Sequence, residues 1–186
     1  MKNVYVIRMK KDTKIRIKKF FLILILLIVG CYLLDDDAKS EVFLTANHKY
    51  VGRIVFKDTP QGLHVKARLK NLPVGLHGFH IHEKPSCEAG KDAKGMIKAA
   101  LKAGGHYDPN KTEQHLGPDG KGHKGDLPVL RVEKDGTAHI DFYNKNLSAK
   151  EVREKSVVIH EHGDNYKDTP EPLGGGGARI ACGVIR

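Results

Sequence analysis

Eleven histidines punctuate this chain of 186 residues, and their placement says more than their number. His80 and His82 flank Ile81 in a run with strand character, so both imidazoles project from one face. His106, His115 and His123 follow in a stretch rich in Gly and Pro, and Asp126 lies three residues beyond the last of them. His160 ends the apolar run Val157-Val158-Ile159. Any one of these reads alone as an ordinary core or surface histidine. Six imidazoles and a carboxylate that converge would make a metal site. His48, His64 and His139 stand in strand-like stretches without partners at ligand spacing and are assigned to packing or surface. His162, two residues after His160, is open to either reading. The string His160-Glu161-His162 is not a zincin motif, which places its two histidines one helical turn apart.

The elements that must position these side chains read as short strands separated by turns. Candidates are Glu41–His48, Val51–Lys57, Leu63–Lys70, Gly78–Glu83, Pro128–Val132, Thr137–Phe142, Ser156–His160 and Arg179–Ile185. The clearest is Leu63-His64-Val65-Lys66-Ala67-Arg68-Leu69, apolar at every second residue, which suits a strand with one wet face. Asp135-Gly136 before Thr137 is a hairpin signal. About eight strands and no internal repeat imply a single all-β domain, a sandwich or barrel. Two stretches have helical character: Asp92–Lys102, and the segment opened by Ser148 with Glu151 three residues on, a capping-box pattern.

The formal charge of +10 invites a nucleic-acid or anionic-surface reading, but its location argues otherwise. Residues 1–30 hold eight basic residues and one acidic residue, Asp12, which leaves 24 basic against 21 acidic in the remainder. That remainder has no aromatic-studded basic patch, so no nucleic-acid partner is expected. Ten consecutive apolar residues, Phe20 to Val29, follow Lys18-Lys19. As helix they rise about 15 Å, half of a hydrocarbon core, which suits a signal-peptide core better than a membrane span. Tyr32-Leu33-Leu34 keep an uncleaved anchor open. Ile28-Val29-Gly30-Cys31 resembles the lipobox of bacterial lipoproteins, which makes Cys31 a lipidation candidate; an ordinary signal peptide cut nearby is the alternative. Residues 1–30 are thus read as leader, 31–40 as polar tether and 41–186 as the domain. Assigning Cys31 to the leader leaves Cys87 and Cys182, a pair expected to form a disulfide in an oxidising compartment.

Four segments carry a family resemblance. Gly78-Phe79-His80-Ile81-His82-Glu83, Gly105-His106-Tyr107-Asp108-Pro109, Gly122-His123-Lys124-Gly125-Asp126-Leu127-Pro128 and Gly174–Gly177 with Ala178-Arg179-Ile180-Ala181-Cys182-Gly183-Val184 resemble copper-zinc superoxide dismutase. The run Leu173–Gly177 and the nine-residue step from His106 to His115 are similar to its bacterial exported branch. The resemblance spans Glu41 to Arg186 and implies a Greek-key β-sandwich or flattened barrel. It implies copper at His80, His82, His106 and His160, and zinc at His106, His115, His123 and Asp126, with His106 shared. Ligand chemistry agrees: four imidazoles in an open, roughly planar set suit copper(II), and three with a carboxylate make a tetrahedral zinc site.

Further roles follow from the same resemblance. Asp164 matches a carboxylate that holds one histidine of each set, His77 a structural histidine, and Arg179 the docking group for superoxide. Cys87–Cys182 would tie the loop before His106 to the Arg179 strand. Gly174–Gly177, which alone would read as a linker, fits a loop over the metals. Dismutation of superoxide is the implied activity; a metal carrier without turnover and a zinc hydrolase are the alternatives. Export to the periplasm is implied, with membrane contact only through the leader or a lipid. Bacterial members vary in oligomeric state, so a homodimer stays open. Lys91, Lys94, Lys98 and Lys102 fall at steps of three, four and four. If helical, they would share one face and could steer the anionic substrate; the plain reading is a solvated face.

Overall fold

Alternation at period two sets the architecture. In β3 (Gly62–Leu69) Leu63, Val65, Ala67 and Leu69 are buried while Lys66 and Arg68 face solvent. The computed structural model describes residues 37–186; the leader, Cys31 and the start of the tether lie outside the described residues. Eleven strands appear among them: β1 Ala38–Leu44, β2 Tyr50–Thr59, β3, β4 Gly75–His77, β5 Phe79–His82, β6 Gly90–Lys91, β7 Ile97–Lys98, β8 Leu130–Val132, β9 Ala138–Asn144, β10 Lys155–His160 and β11 Arg179–Ile185. Seven form one antiparallel sheet in the order β5-β10-β11-β1-β2-β3-β9, and β4 pairs with β8. Strands β1 to β3 run as consecutive hairpin neighbours and β11 returns by a long connection to lie beside β1, a Greek-key path, while β9 flanks β3. The core lies inside the curl and includes Val42, Ile54, Phe56, Phe79, Ile140, Ile159 and Ile185.

All eight expected strands are present, with three differences in detail. β1 begins at Ala38, so Ala38, Lys39 and Ser40, expected in the tether, pair with Phe56, Val55 and Ile54 of β2. The expected strand Gly78–Glu83 is shortened to Phe79–His82, and Gly78, whose carbonyl accepts the His160 N–H and whose N–H donates to the His162 carbonyl, separates it from β4. The Asp135-Gly136 turn forms, but its arms part: β8 stays with β4, and β9 joins β3.

The helix expected over Asp92–Lys102 does not form. Asp92 Oδ1 accepts the N–H groups of Lys94 and Met96, both at 2.9 Å, and Gly95 adopts a positive φ of 78°. This local side-chain turn outcompetes the helix and closes the β6–β7 ladder. Only a 3₁₀ turn, Leu101–Ala103, follows it. Lys91 pairs with Ile97 and Lys98 with Gly90, so these two lysines occupy opposite faces of the ladder. Lys102 is committed to Glu88 at 2.5 Å. The four ammonium groups therefore share no face. The capping box does form: Ser148 Oγ accepts Glu151 N–H at 3.2 Å and opens the one-turn helix α1, Ala149–Val152.

Cys87 and Cys182 are bonded across 95 positions of sequence, joining the loop after β5 to β11. Loop-closure entropy for a ring of this size gives about 4–5 kcal/mol. Cys182→Ser should lower the urea-unfolding stability of the oxidised, metal-free chain by that order; an unchanged midpoint would show that the bridge does not constrain the unfolded state.

Candidate metal centre

Strand β5 is buried on both faces. Phe79 and Ile81 enter the core, and His80 and His82 point the other way. The loop that follows is laced onto β5 by its backbone: Tyr107 N–H donates to Ile81 O at 2.8 Å, Ile81 N–H to Gly125 O at 2.8 Å and Gly125 N–H to Tyr107 O at 2.9 Å. His106 thereby sits opposite His82, and Asp126 opposite His80. Gly125 permits the approach, since a Cβ there would overlap the Ile81 carbonyl. His160 ends β10 at a register shift, where it faces Arg179 on β11.

Two compact ligand groups result. His80, His82, His106 and His160 each offer an atom within 4.8 Å of the others; so do His80, His106, His115 and Asp126. His106 belongs to both, with Nδ1 3.0 Å from Asp126 Oδ1 and Nε2 on the opposite side of the ring. His115 Nδ1 is 2.9 Å from Asp126 Oδ2 but misaligned for a hydrogen bond, and His123 Nδ1 is 3.6 Å from Oδ1. The second group formally counts His80 instead of His123. His80, however, has only Nδ1 to offer, because Nε2 is 2.7 Å from Asp164 Oδ2. One nitrogen serves one ion, and His123 Nδ1 is itself buried and unpartnered.

The donor set fits metal ions. Seven buried side-chain polar atoms lack a hydrogen-bond partner among the described residues, and five of them are His80 Nδ1, His106 Nε2, His115 Nδ1, His123 Nδ1 and Asp126 Oδ2. Leaving such atoms unsatisfied costs about 1–3 kcal/mol each, so a cluster of five calls for cations between them. Three further ring nitrogens are held from behind: His82 Nδ1 by Gly104 O at 3.0 Å, His115 Nε2 by Asp164 Oδ1 at 2.8 Å and His160 Nδ1 by Gly177 O at 3.4 Å. Each such contact fixes the ring and aims its partner nitrogen.

Electrostatics separates the two groups. Burial, reinforced by neighbouring positive charge, holds His82 and His160 well below the ordinary imidazole range and His106 at about 3. Their lone pairs are free. Burial acts in the same direction on His115, but the carboxylates of Asp126 and Asp164 outweigh it and raise it to about 9. Burial likewise opposes ionisation of Asp126 and Asp164, and hydrogen bonds with the surrounding imidazoles hold both below the usual carboxylate range.

Arg179 is fixed from behind. Its guanidinium donates to Ala100 O and Gly104 O, each at 2.7 Å, and burial draws its pKa below the usual guanidinium range. The Gly104 carbonyl faces both Arg179 and His82. His77 bridges the carbonyls of His160 and Pro73 at 2.7 and 2.9 Å, a structural position. His64 lies against Asp141 and stacks on Tyr143, while His48, His139 and His162 are exposed.

Sequence reasoning missed two supporting residues, Asp168 and Tyr166, and placed a third, Gly174, only as part of a covering run. Asp168 Oδ2 accepts the His115 N–H at 2.9 Å and Oδ1 the Leu173 N–H at 3.3 Å, clamping the ligand loop to the loop above it. Tyr166 Oη accepts Val129 N–H at 2.8 Å. Gly174, at φ 74°, lies so close to the Asp164–His115 pair that a Cβ would overlap Asp164 Oδ1. Asp168 stands in a polar turn whose composition distinguishes it from no other loop aspartate; only the Gly run drew notice, as a covering loop.

The copper/zinc superoxide dismutase (SODC) family profile matches residues 50–185. The chain belongs to this family. It is 50% identical to the Cu-Zn superoxide dismutase of Brucella abortus biovar 1 (strain 9-941) over 146 residues, 78% of this chain and 84% of that one. The solved Brucella abortus Cu/Zn enzyme superposes with a TM-score of 0.77 at 47% identity, covering 81% of this chain and 99% of that one. The monomeric copper, zinc superoxide dismutase of Salmonella enterica gives a TM-score of 0.70 at 47% identity, with the same coverage. A histidine-and-carboxylate cluster on an antiparallel Greek-key barrel is what this family membership requires.

The His115 proton has a measurable consequence. With its pKa raised from 6.5 to about 9, His115 is protonated in the metal-free chain at neutral pH, and zinc must displace that proton. The proton's contribution to metal-free stability is full below pH 6.5 and is lost as pH rises through 9. Zinc titration calorimetry at pH 7 in buffers of different protonation enthalpy should show release of about one proton, and the affinity should rise about tenfold per pH unit up to pH 9. Affinity independent of pH between 6 and 8 would mean that His115 is neutral.

Proposed function

We propose that this chain converts two superoxide ions and two protons into dioxygen and hydrogen peroxide. The observation that carries the reading is His106, whose two nitrogens face two separate ligand groups from one buried ring. The copper set is assigned to His80, His82, His106 and His160, and the zinc set to His106, His115, His123 and Asp126. When bound, copper would supply one-electron exchange with superoxide and zinc a fixed positive charge. His106, anchored at Nδ1 beside Asp126, holds a proton at Nε2 and passes it to the departing peroxide. Asp164 keeps His80 and His115 in register, and Arg179 docks the anion with a guanidinium already oriented by three carbonyl contacts. All seven candidate ligands come from one chain, so a monomer suffices.

Several finer assignments belong to this reading. Lys91, Lys94 and Lys98 surround the loop that leads to His106, and their charge steers the substrate without a common helical face; Lys102, paired with Glu88, contributes least. The basic n-region, the apolar run to Val29 and Cys31 support export to the periplasm as a lipid-anchored protein that removes extracytoplasmic superoxide. A homodimer adds nothing the site needs.

Superoxide consumption by the metal-loaded chain tests the activity. His160→Ala and a copper chelator should each abolish it, Arg179→Gln should lower kcat/KM by about 10²-fold, and His115→Ala should cost stability more than rate. Salt should depress the rate as the Debye length shrinks from about 10 Å at 0.1 M to about 3 Å at 1 M, less so in Lys91→Gln, Lys94→Gln and Lys98→Gln. Full activity in His160→Ala would refute the ligand assignment. Cellular fractionation tests the anchor: Cys31→Ser should move the protein from the membrane to the soluble fraction, and a soluble wild type would remove the lipoprotein assignment.

A further inference from the structure

Away from the metal centre, a groove of about 830 Å³ opens on the solvent side of the barrel, and none of the proposed ligands lines it. Its walls carry Arg68 on β3, Lys70 directly after it, Arg131 on β8 and His139 on β9. Arg68 and His139 are register partners across the β3–β9 ladder, so their side chains leave the same face side by side. Arg131 arrives from the separate β4–β8 ladder. The alternate residues Leu69 and Ala138 are buried beneath.

Of the four arginine and lysine side chains on this groove's wall, only Arg53 has a counter-charge among the described residues, Glu41. Among the six arginines of the described residues, Arg179 is committed to carbonyls, Arg53 to Glu41, Arg153 is engaged elsewhere, and Arg186 is the exposed last residue. Arg68 and Arg131 make no side-chain hydrogen bond, ion pair or ring contact among the described residues, and neither does Lys70. The one carboxylate on the wall, Glu133, lies within 4 Å of none of them. Elsewhere on the same sheet pairing is the rule: Lys66 meets Asp141 at 3.6 Å and Lys57 meets Asp37 at 3.8 Å. Three like charges on one wall, none of them paired with the single carboxylate there, repel one another, and well-mixed surfaces avoid that arrangement.

Guanidinium groups present a rigid fork of donors that matches phosphate oxygens in pairs. The groove far exceeds a bare oxyanion and falls within the range of small-molecule sites. We propose that it binds a phosphate group carried by a larger molecule, with Arg68 and Arg131 as the two forks and Lys70 as a third charge. The carrier is either a soluble phosphorylated compound or the headgroup of an anionic lipid. The site is independent of the dismutase reading.

The test uses the full-length, metal-loaded chain in its Cys31→Ser form, so that no lipid attachment contributes. Titration with inorganic pyrophosphate at low salt should saturate. Arg68→Gln and Arg131→Gln should each weaken it by about tenfold or more, while Lys145→Gln, an exposed charge outside the groove, should change it by less than about twofold. Superoxide consumption should be the same in all of them. In a second arm, co-sedimentation with phosphatidylglycerol vesicles is compared with phosphatidylcholine vesicles. Arginine-dependent capture by the anionic vesicles identifies a headgroup, and pyrophosphate binding without it identifies a soluble ligand. If wild type shows neither, or if Lys145→Gln weakens binding as much as the arginine variants do, the groove is not a phosphate site.

Discussion

The carboxylate of Asp164 is the contact on which the centre depends. One oxygen is 2.7 Å from His80 Nε2 and the other 2.8 Å from His115 Nε2. Those two imidazoles come from a strand and from a loop 35 residues further along, and among the described residues no other side chain joins them from behind. With Nε2 of each ring occupied, Nδ1 is the atom left to face inward, and both Nδ1 atoms are buried and unpartnered. A ligand set of this kind is costly to preform, because desolvated polar nitrogens stand close to one another. Asp164 is in turn covered by Gly174 and receives the Tyr166 N–H at 2.7 Å. The loop from 161 to 177 therefore serves as the outer half of the site.

The barrel contributes a different kind of order. β5 is an edge of the seven-stranded sheet, and an edge offers unpaired backbone groups. The stretch containing His106 and Gly125 uses them, so ligands distant in sequence are set by main-chain hydrogen bonds instead of side-chain packing. Strand periodicity places His80 and His82, edge pairing places His106 and Asp126, and a bulge turns His160 toward Arg179.

Legibility in the sequence followed the same division. His80 and His82 were readable because alternation is a local property, and the Leu63–Leu69 strand was readable for the same reason. The types of His106, His115, His123 and Asp126 pointed to a metal, but their assembly depends on edge pairing with β5, which no local pattern encodes. The helix expected over Asp92–Lys102 failed because one carboxylate, Asp92, captures two backbone N–H groups, a competition invisible to residue spacing. Asp168 was not readable, since its value lies in two backbone donors from segments 53 and five residues away.

The Gly104 carbonyl has a role larger than its size. It is the shared acceptor of a copper-set imidazole, His82, and of the proposed docking group, Arg179. Both are thus surveyed from a single benchmark, in a loop that the Cys87–Cys182 bridge moors to β11. His82 stands on β5 and Arg179 on β11, so one backbone oxygen spans two strands of the barrel and gives the imidazole and the guanidinium a common reference for their spacing.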